Sequence, residues 1–295
     1  MMTEIVTIAT PSLGNRSYLA TDGSAALVVD PPRDSDRVLA VAAARGVAIT
    51  HVFETHIHND YLTGGLTLAR ATGAAYHVNA ADTVAFDRVK ITDGDLITVG
   101  DAIRVRVIAT PGHTFTHLAY VLEDAPSGAV RAVFTGGSLL HGSTGRPDLL
   151  GAEHAATLAA AQHASARRLA ATVPGAAELH PTHGFGSFCA SAPAPAPADG
   201  ATLADEQHSN PVFLFAADAY VQMLLAGLDD YPAYYARMAP ANSAGPAASD
   251  LTLPAPASAA EITRRIAAGE WVVDLRARRA FAAGHLPGSL SFESG

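Results

Sequence analysis

The chain has 295 residues, with 28 Asp and Glu against 19 Lys and Arg and a formal net charge of −9. That acidity, without any basic run, excludes nucleic acid and anionic lipid as electrostatic partners, and a 49% hydrophobic composition excludes disorder over the whole length. The single cysteine excludes an internal disulfide framework and cannot build a Cys-based zinc site. Residues 1–12 carry no basic leader with an apolar stretch behind it, and no apolar run reaches the length of a membrane span. A cytoplasmic protein without membrane contact is expected.

In chain order, residues 4–10, 17–20 and 25–29 read as strands, the last stopped by Asp30-Pro31-Pro32. Residues 36–45 read as a helix ended by Gly46, and 49–54 as a buried strand. Thr63 can cap a helix over 65–71 that ends at Gly73, and 75–78 returns as a strand. Four further strands, 95–99, 103–109, 118–123 and 130–134, are separated by Gly-containing turns. Residues 153–171 are Ala-rich without Gly or Pro and form the clearest helix. Strands joined partly by helices and partly by hairpins predict an α/β fold of packed sheets with helices outside. The Pro/Ala stretch 193–197 reads as an exposed loop, 212–225 as a helix, and 239–258 as a low-complexity linker. A helix over 261–269 and a strand over 271–276 then look like the opening of another α/β unit, too short to stand alone.

Thirteen histidines are about twice the average usage, and their placement matters more than their number. The strand 49–54 runs into Thr55-His56-Ile57-His58-Asn59-Asp60-Tyr61, which offers two imidazoles and a carboxylate where the chain leaves a buried strand. The strand 103–109 leads into Thr110-Pro111-Gly112-His113-Thr114, and the segment 178–181 leads into Thr182-His183-Gly184. Three strand-end loops, each bearing histidine, argue for one shared metal site.

Thr-His-x-His-x-Asp, Pro-Gly-His-Thr, Phe134-Thr135-Gly136, Gly145-Arg146-x-Asp148 and Pro181-x-x-His183, in this order, resemble the metallo-β-lactamase fold, within it the glyoxalase II and persulfide dioxygenase branch. The resemblance implies an αββα sandwich of two mixed sheets with outer helices over residues 1–240, followed by a linker at 241–258. The tail 259–295, with Val272-Val273-Asp274-Leu275-Arg276 and Gly284-His285-Leu286-Pro287-Gly288, is similar to the first part of a rhodanese domain. It stops before the loop that bears that family's nucleophilic cysteine.

Two positions depart from the family pattern: Gly137 stands where the resemblance implies a metal-binding Asp, and Tyr61 where it implies a His. His56, His58 and His113 remain as an implied metal set for one divalent ion, iron(II) favoured and zinc the alternative. Asp60 is implied as a ligand or an acceptor orienting a histidine, Tyr61 as a donor to an oxygen at the metal or a filler of the lost histidine's space, and His183 as an acid/base. Restoring the carboxylate by Gly137→Asp is expected to tighten metal binding. Of the remaining groups, His117 reads as supporting the site, His141 as a loop histidine, Arg146–Asp148 as a structural ion pair, and Cys189 as an inert buried thiol.

The resemblance implies oxidation of a low-molecular-weight persulfide, glutathione persulfide or similar, by O2 to thiol and sulfite. A homodimer and a sulfurtransferase partner are compatible with it. Thioester hydrolysis of the glyoxalase II type is the alternative, and a metal-depleted scaffold is the third reading.

Overall fold

The computed structural model describes residues 3–191, 200–250 and 252–292, so the Pro/Ala stretch 193–197 lies outside the described residues. Contacts divide the chain into two units, Met1–Ser249 and Asp250–Gly295.

In the first unit one sheet takes β1 (Glu4–Thr10), β2 (Asn15–Thr21), β3 (Ala25–Val29), β4 (Ala48–Phe53), β5 (Ala75–Asn79) and β6 (Val89–Ile91), in that spatial order. Pairing is antiparallel from β1 to β3 and parallel from β3 to β6. Helices α1 (Asp36–Arg45) and α2 (Gly65–Thr72) make the crossovers that parallel strands require. The second sheet holds β7 (Leu96–Val99), β8 (Ile103–Ala109), β9 (Leu118–Asp124), β10 (Val130–Gly136) and β11 (Glu178–Pro181). Its only parallel pair is β10 with β11, joined through the helix α3 (Ala152–Thr172).

The two sheets bury a common core, to which the first gives Tyr18, Leu27 and Phe53 and the second Val105, Tyr120 and Phe134. On β8 the inward side chains alternate, Ile103, Val105 and Val107, as period-2 patterning demands. Val38, Leu66 and Leu68 from α1 and α2 cover Val28 and Val52 on the outer face of the first sheet. Ala159, Ala166 and Leu169 from α3 cover Val121 and Val133 on the second. Each such large apolar side chain contributes about 1.5–3 kcal/mol of burial. The layers are helix, sheet, sheet, helix, as the sequence implies.

In the first unit several elements differ from the sequence reading. Strand β6 and the helix α4 (Leu203–Ser209) were not foreseen, although Thr202 and Asp205 form a reciprocal capping box at the start of α4. The helix expected over 212–225 is broken into α5 (Pro211–Leu214) and α6 (Ala217–Ala226). Arg167 and His163 of α3 bond the carbonyls of Phe213 and Phe215, so tertiary donors replace the helical ladder there, and Phe215 is extended. The first part of the expected linker is the end of a helix, α7 (Tyr235–Ala244), which tolerates Pro240 inside it.

The second unit contains α8 (Ala259–Ala267), α9 (Arg278–Ala283) and two parallel strands of two residues each, β12 (Val273–Asp274) and β13 (Leu290–Ser291). The strand expected over 271–276 shrinks to β12. None of its described residues is buried. Among the described residues no helix is long and apolar enough to cross a membrane.

Candidate metal centre

The histidines gather where β4, β8, β10 and β11 end. His56, His58, His113, His117 and His183 are each at most 1% exposed, so the cluster is closed to bulk water. His56 has its ring centroid 4.2 Å from His58, 4.8 Å from His113 and 5.3 Å from His183. Donor atoms of His56, His58 and His183 lie within 4.8 Å of one another, as do those of His113, His183 and Cys189.

Hydrogen bonds assign the free nitrogens, on the usual inference from network to tautomer. Thr55 Oγ1 gives its one proton to Asp30 Oδ2 at 2.7 Å, so His56 Nδ1–H donates to Thr55 Oγ1 at 2.9 Å and leaves Nε2 bare. His183 Nδ1 donates to Asn15 Oδ1 at 3.0 Å, with Asp60 Oδ2 at 3.3 Å, which leaves its Nε2 bare as well. These two nitrogens face each other at 3.4 Å, an arrangement that a proton or a metal cation between them makes favourable. His113 Nδ1 donates to the Arg146 carbonyl at 2.8 Å, and its buried Nε2 has no partner. His58 is held through Nε2, at 3.0 Å from Glu54 Oε2 and 3.3 Å from Asp30 Oδ1, while its Nδ1 has no partner. The nitrogens left over fall into two overlapping donor sets that share His183, one with His56 and His58 and one with His113 and Cys189, and a divalent ion fits either.

Burial, with neighbouring histidines adding, holds His56 well below the ordinary imidazole value, and burial with His183 takes His113 down to about 3. Both are therefore in the neutral, metal-ready form. Burial also opposes charge on His58, but the Asp30 and Glu54 carboxylates outweigh it and raise the group to about 10, so its Nδ1 carries a proton that a metal ion has to displace. For Asp30 and Asp60 burial works upward; His58 and hydrogen-bond donors for the first, and His183 for the second, prevail and keep both carboxyls below their ordinary value.

Asp30, which sequence reading treated only as a strand end, is the organising group. Its carboxylate accepts the Thr55 N–H at 2.7 Å and the hydroxyls of Thr55 and Thr182, and it touches His58. It therefore ties the ends of β3, β4 and β11 together, from a backbone with φ of 48° that non-glycine residues rarely adopt. Glu54 and Asn242 were also not foreseen. Glu54 Oε1 accepts Thr63 and Tyr76 hydroxyls, and Asn242 of α7 donates to the carbonyls of His58 and Tyr61 at 2.8 Å.

Tyr61 packs on His58, with its hydroxyl 3.1 Å from His58 Nε2 and donating to the Asp30 carbonyl, on the side of His58 away from the unpartnered Nδ1. His117 Nε2 accepts the Gly137 N–H at 3.0 Å, so it holds the backbone beside the cluster. His141 turns instead to Glu206, and Arg146 pairs with Asp148 in a two-bond fork.

Gly137 behaves differently from expectation. A Cβ there would stand 2.2 Å from His113 Cδ2, and one at Gly145 would stand 2.6 Å from His113 Nδ1. The imidazole lies in a slot between two glycines and occupies the space a side chain at 137 would need. An aspartate there requires His113 or the backbone at 137 to shift, so Gly137→Asp is expected to strain the site rather than tighten metal binding.

The sequence model of the metallo-beta-lactamase superfamily matches residues 11–183, which contain every histidine of the cluster. The chain belongs to that superfamily. A metallo-beta-lactamase from Staphylococcus aureus subsp. aureus COL is 26% identical with a TM-score of 0.83, over 99% of this chain and 85% of that one. ETHE1 from Myxococcus xanthus is 26% identical with a TM-score of 0.68, over 82% of this chain and 98% of that one. Hydroxyacylglutathione hydrolase from Acidiphilium cryptum (strain JF-5) is 36% identical over 123 residues, 41% of this chain and 50% of that protein. Further curated relatives carry the same name, and the chain spans about half the length of those it matches.

These names overturn the expectation of persulfide oxidation. Position 137 does not separate the two readings, since Gly137 removes the carboxylate of an iron triad and equally the acidic ligand that the resemblance implies for the hydrolases.

Proposed function

We propose that this metallo-beta-lactamase superfamily chain is a metal-dependent hydrolase of thioesters of the hydroxyacylglutathione type. The observation that carries the metal is the facing pair of bare nitrogens on His56 and His183, beside the unpartnered His58 Nδ1 and His113 Nε2. The curated relatives supply the thioester class. His183, with His56 and His58 on one side or His113 on the other, would hold one divalent ion, zinc or iron. Such an ion supplies Lewis-acid polarisation of a carbonyl and lowers the pKa of water.

The chain's own groups do the rest. Glu54 and Asp30 fix His58 by its Nε2 edge, the Arg146 carbonyl fixes His113 by its Nδ1 edge, and Asn15 fixes His183. Asp60 accepts from Asn15 Nδ2 at 2.7 Å through Oδ2, while its Oδ1 accepts no hydrogen bond, so the ionised carboxylate has one acceptor free to orient water. Tyr61 braces His58 rather than reaching a reacting group. The hydrophobic layers around the cluster keep bulk water from these charges.

For residues 259–295 we propose a rhodanese-like segment that follows a linker. Its supports are the order α8, β12, α9, β13 and the parallel pairing of the two strands.

The test is hydrolysis of a hydroxyacylglutathione by protein loaded with zinc or iron(II), followed as free thiol released. Thiol release that stops on chelation and returns with metal supports the reading. A metal-loaded protein that leaves the thioester intact overturns it.

A further inference from the structure

We infer that Cys189 is a metal ligand, a thiolate that replaces the acidic ligand missing at Gly137. This rests on the metal-dependent reading above and adds to it a donor from outside the superfamily match, which ends at residue 183.

The thiol is fully buried, and its sulfur lies within 4.8 Å of donor nitrogens of both His113 and His183. Independently, His113 Nε2 is buried without a partner, so the group beside the sulfur is itself waiting for a ligand. The backbone of one residue, Arg146, positions both. The Arg146 carbonyl takes the His113 Nδ1–H at 2.8 Å, and the Arg146 N–H donates to the Cys189 carbonyl at 2.8 Å. The bridge between Gly145 and Ala190, together with Ser191 N–H to the Thr144 carbonyl, extends the same pairing. The loop bearing Cys189 is therefore stitched to the segment that orients His113.

The glycine slot explains why a carboxylate at 137 is absent. The His113 ring fills that space, and the anion that neutralises part of the cation's charge comes from the Cys189 loop. Binding requires the thiol to lose its proton to solvent as the sulfur–metal bond forms, so site charge changes by the ion's two positive charges less that one. A set of two imidazoles and a thiolate suits a borderline-soft ion such as zinc and discriminates against magnesium and calcium, which prefer oxygen.

The test is titration of the metal-free protein with cobalt(II), a spectroscopically visible substitute for zinc. A sulfur-to-cobalt charge-transfer band in the near ultraviolet, saturating with the visible d–d bands, is the expected result. Because the chain has one cysteine, that band can come from no other thiolate, and the assignment does not depend on a variant that folds. Cys189→Ser is expected to keep visible d–d bands, lose the charge-transfer band and bind at least about tenfold more weakly. Visible bands in the wild type without charge transfer would overturn the cysteine assignment and leave the metal-dependent reading standing. No cobalt spectrum at all would overturn both.

Discussion

At the residue scale, the centre is built by occupying one nitrogen of each imidazole so that the other is left bare. His113 shows the logic most clearly, since the Arg146 carbonyl takes Nδ1 and nothing takes Nε2. His113→Ala should reduce the metal retained after chelator-free purification to background, measured by elemental analysis. Gly137→Asp should do the reverse of what motif reasoning suggests. With 2.2 Å between a new Cβ and the His113 ring, overpacking should cost about 1–3 kcal/mol, read as a fall in the denaturation midpoint together with weaker metal binding. Asp30→Ala would leave His58 without one of its two buried carboxylate neighbours and release two threonine hydroxyls. A loss of about 3–5 kcal/mol in urea unfolding is expected, although Asp30 points to no bare nitrogen.

At the scale of elements, the strands and the histidine-bearing loops were legible because they combine period-2 apolar runs with turn residues at strand ends. Strand β8 begins and ends where its pattern says, and α1 stops at Gly46, whose φ of 66° is the left-handed cap that glycine favours. What could not be read was whatever depends on a distant partner. Asp30 looks like a turn residue until Thr55, Thr182 and His58 are seen to converge on it, and the break between α5 and α6 requires Arg167 and His163 on α3. Asn242 was hidden inside Ala/Pro/Ser-rich chain that resembles a linker, yet it bonds the backbone on both sides of the metal loop. Its side-chain oxygen also accepts the Thr63 N–H at 3.0 Å. Asn242→Ala should strand these buried groups at about 1–3 kcal/mol each, and unfolding of the variant in denaturant should show it. A variant as stable as the wild type would mean that α7 is only peripheral.

At the scale of the whole molecule, the two units differ in kind. The first has three apolar clusters, and the second has no buried residue among those described, with Trp271 84% exposed. Limited proteolysis should therefore cut first beyond Ser249 and leave a resistant fragment of the first unit; early cuts within the sandwich would contradict this. Metal and fold are coupled in the first unit, because unfolding scatters the histidine loops. Free ion at a hundred times its Kd should add about 2.7 kcal/mol. For a domain of this size that is about 5–10 °C in Tm, removed by chelator.

The slot around His113 also has an evolutionary consequence. A single change from glycine to an acidic residue at 137 meets an occupied space before any benefit appears. Making room needs the ring or the backbone at 137 to shift first, and a retreat of the ring sacrifices its bond to Arg146. Drift toward an acid at this position is held back as by a latch, and the substitutions that could release it lie among the neighbours of His113 rather than at 137 itself.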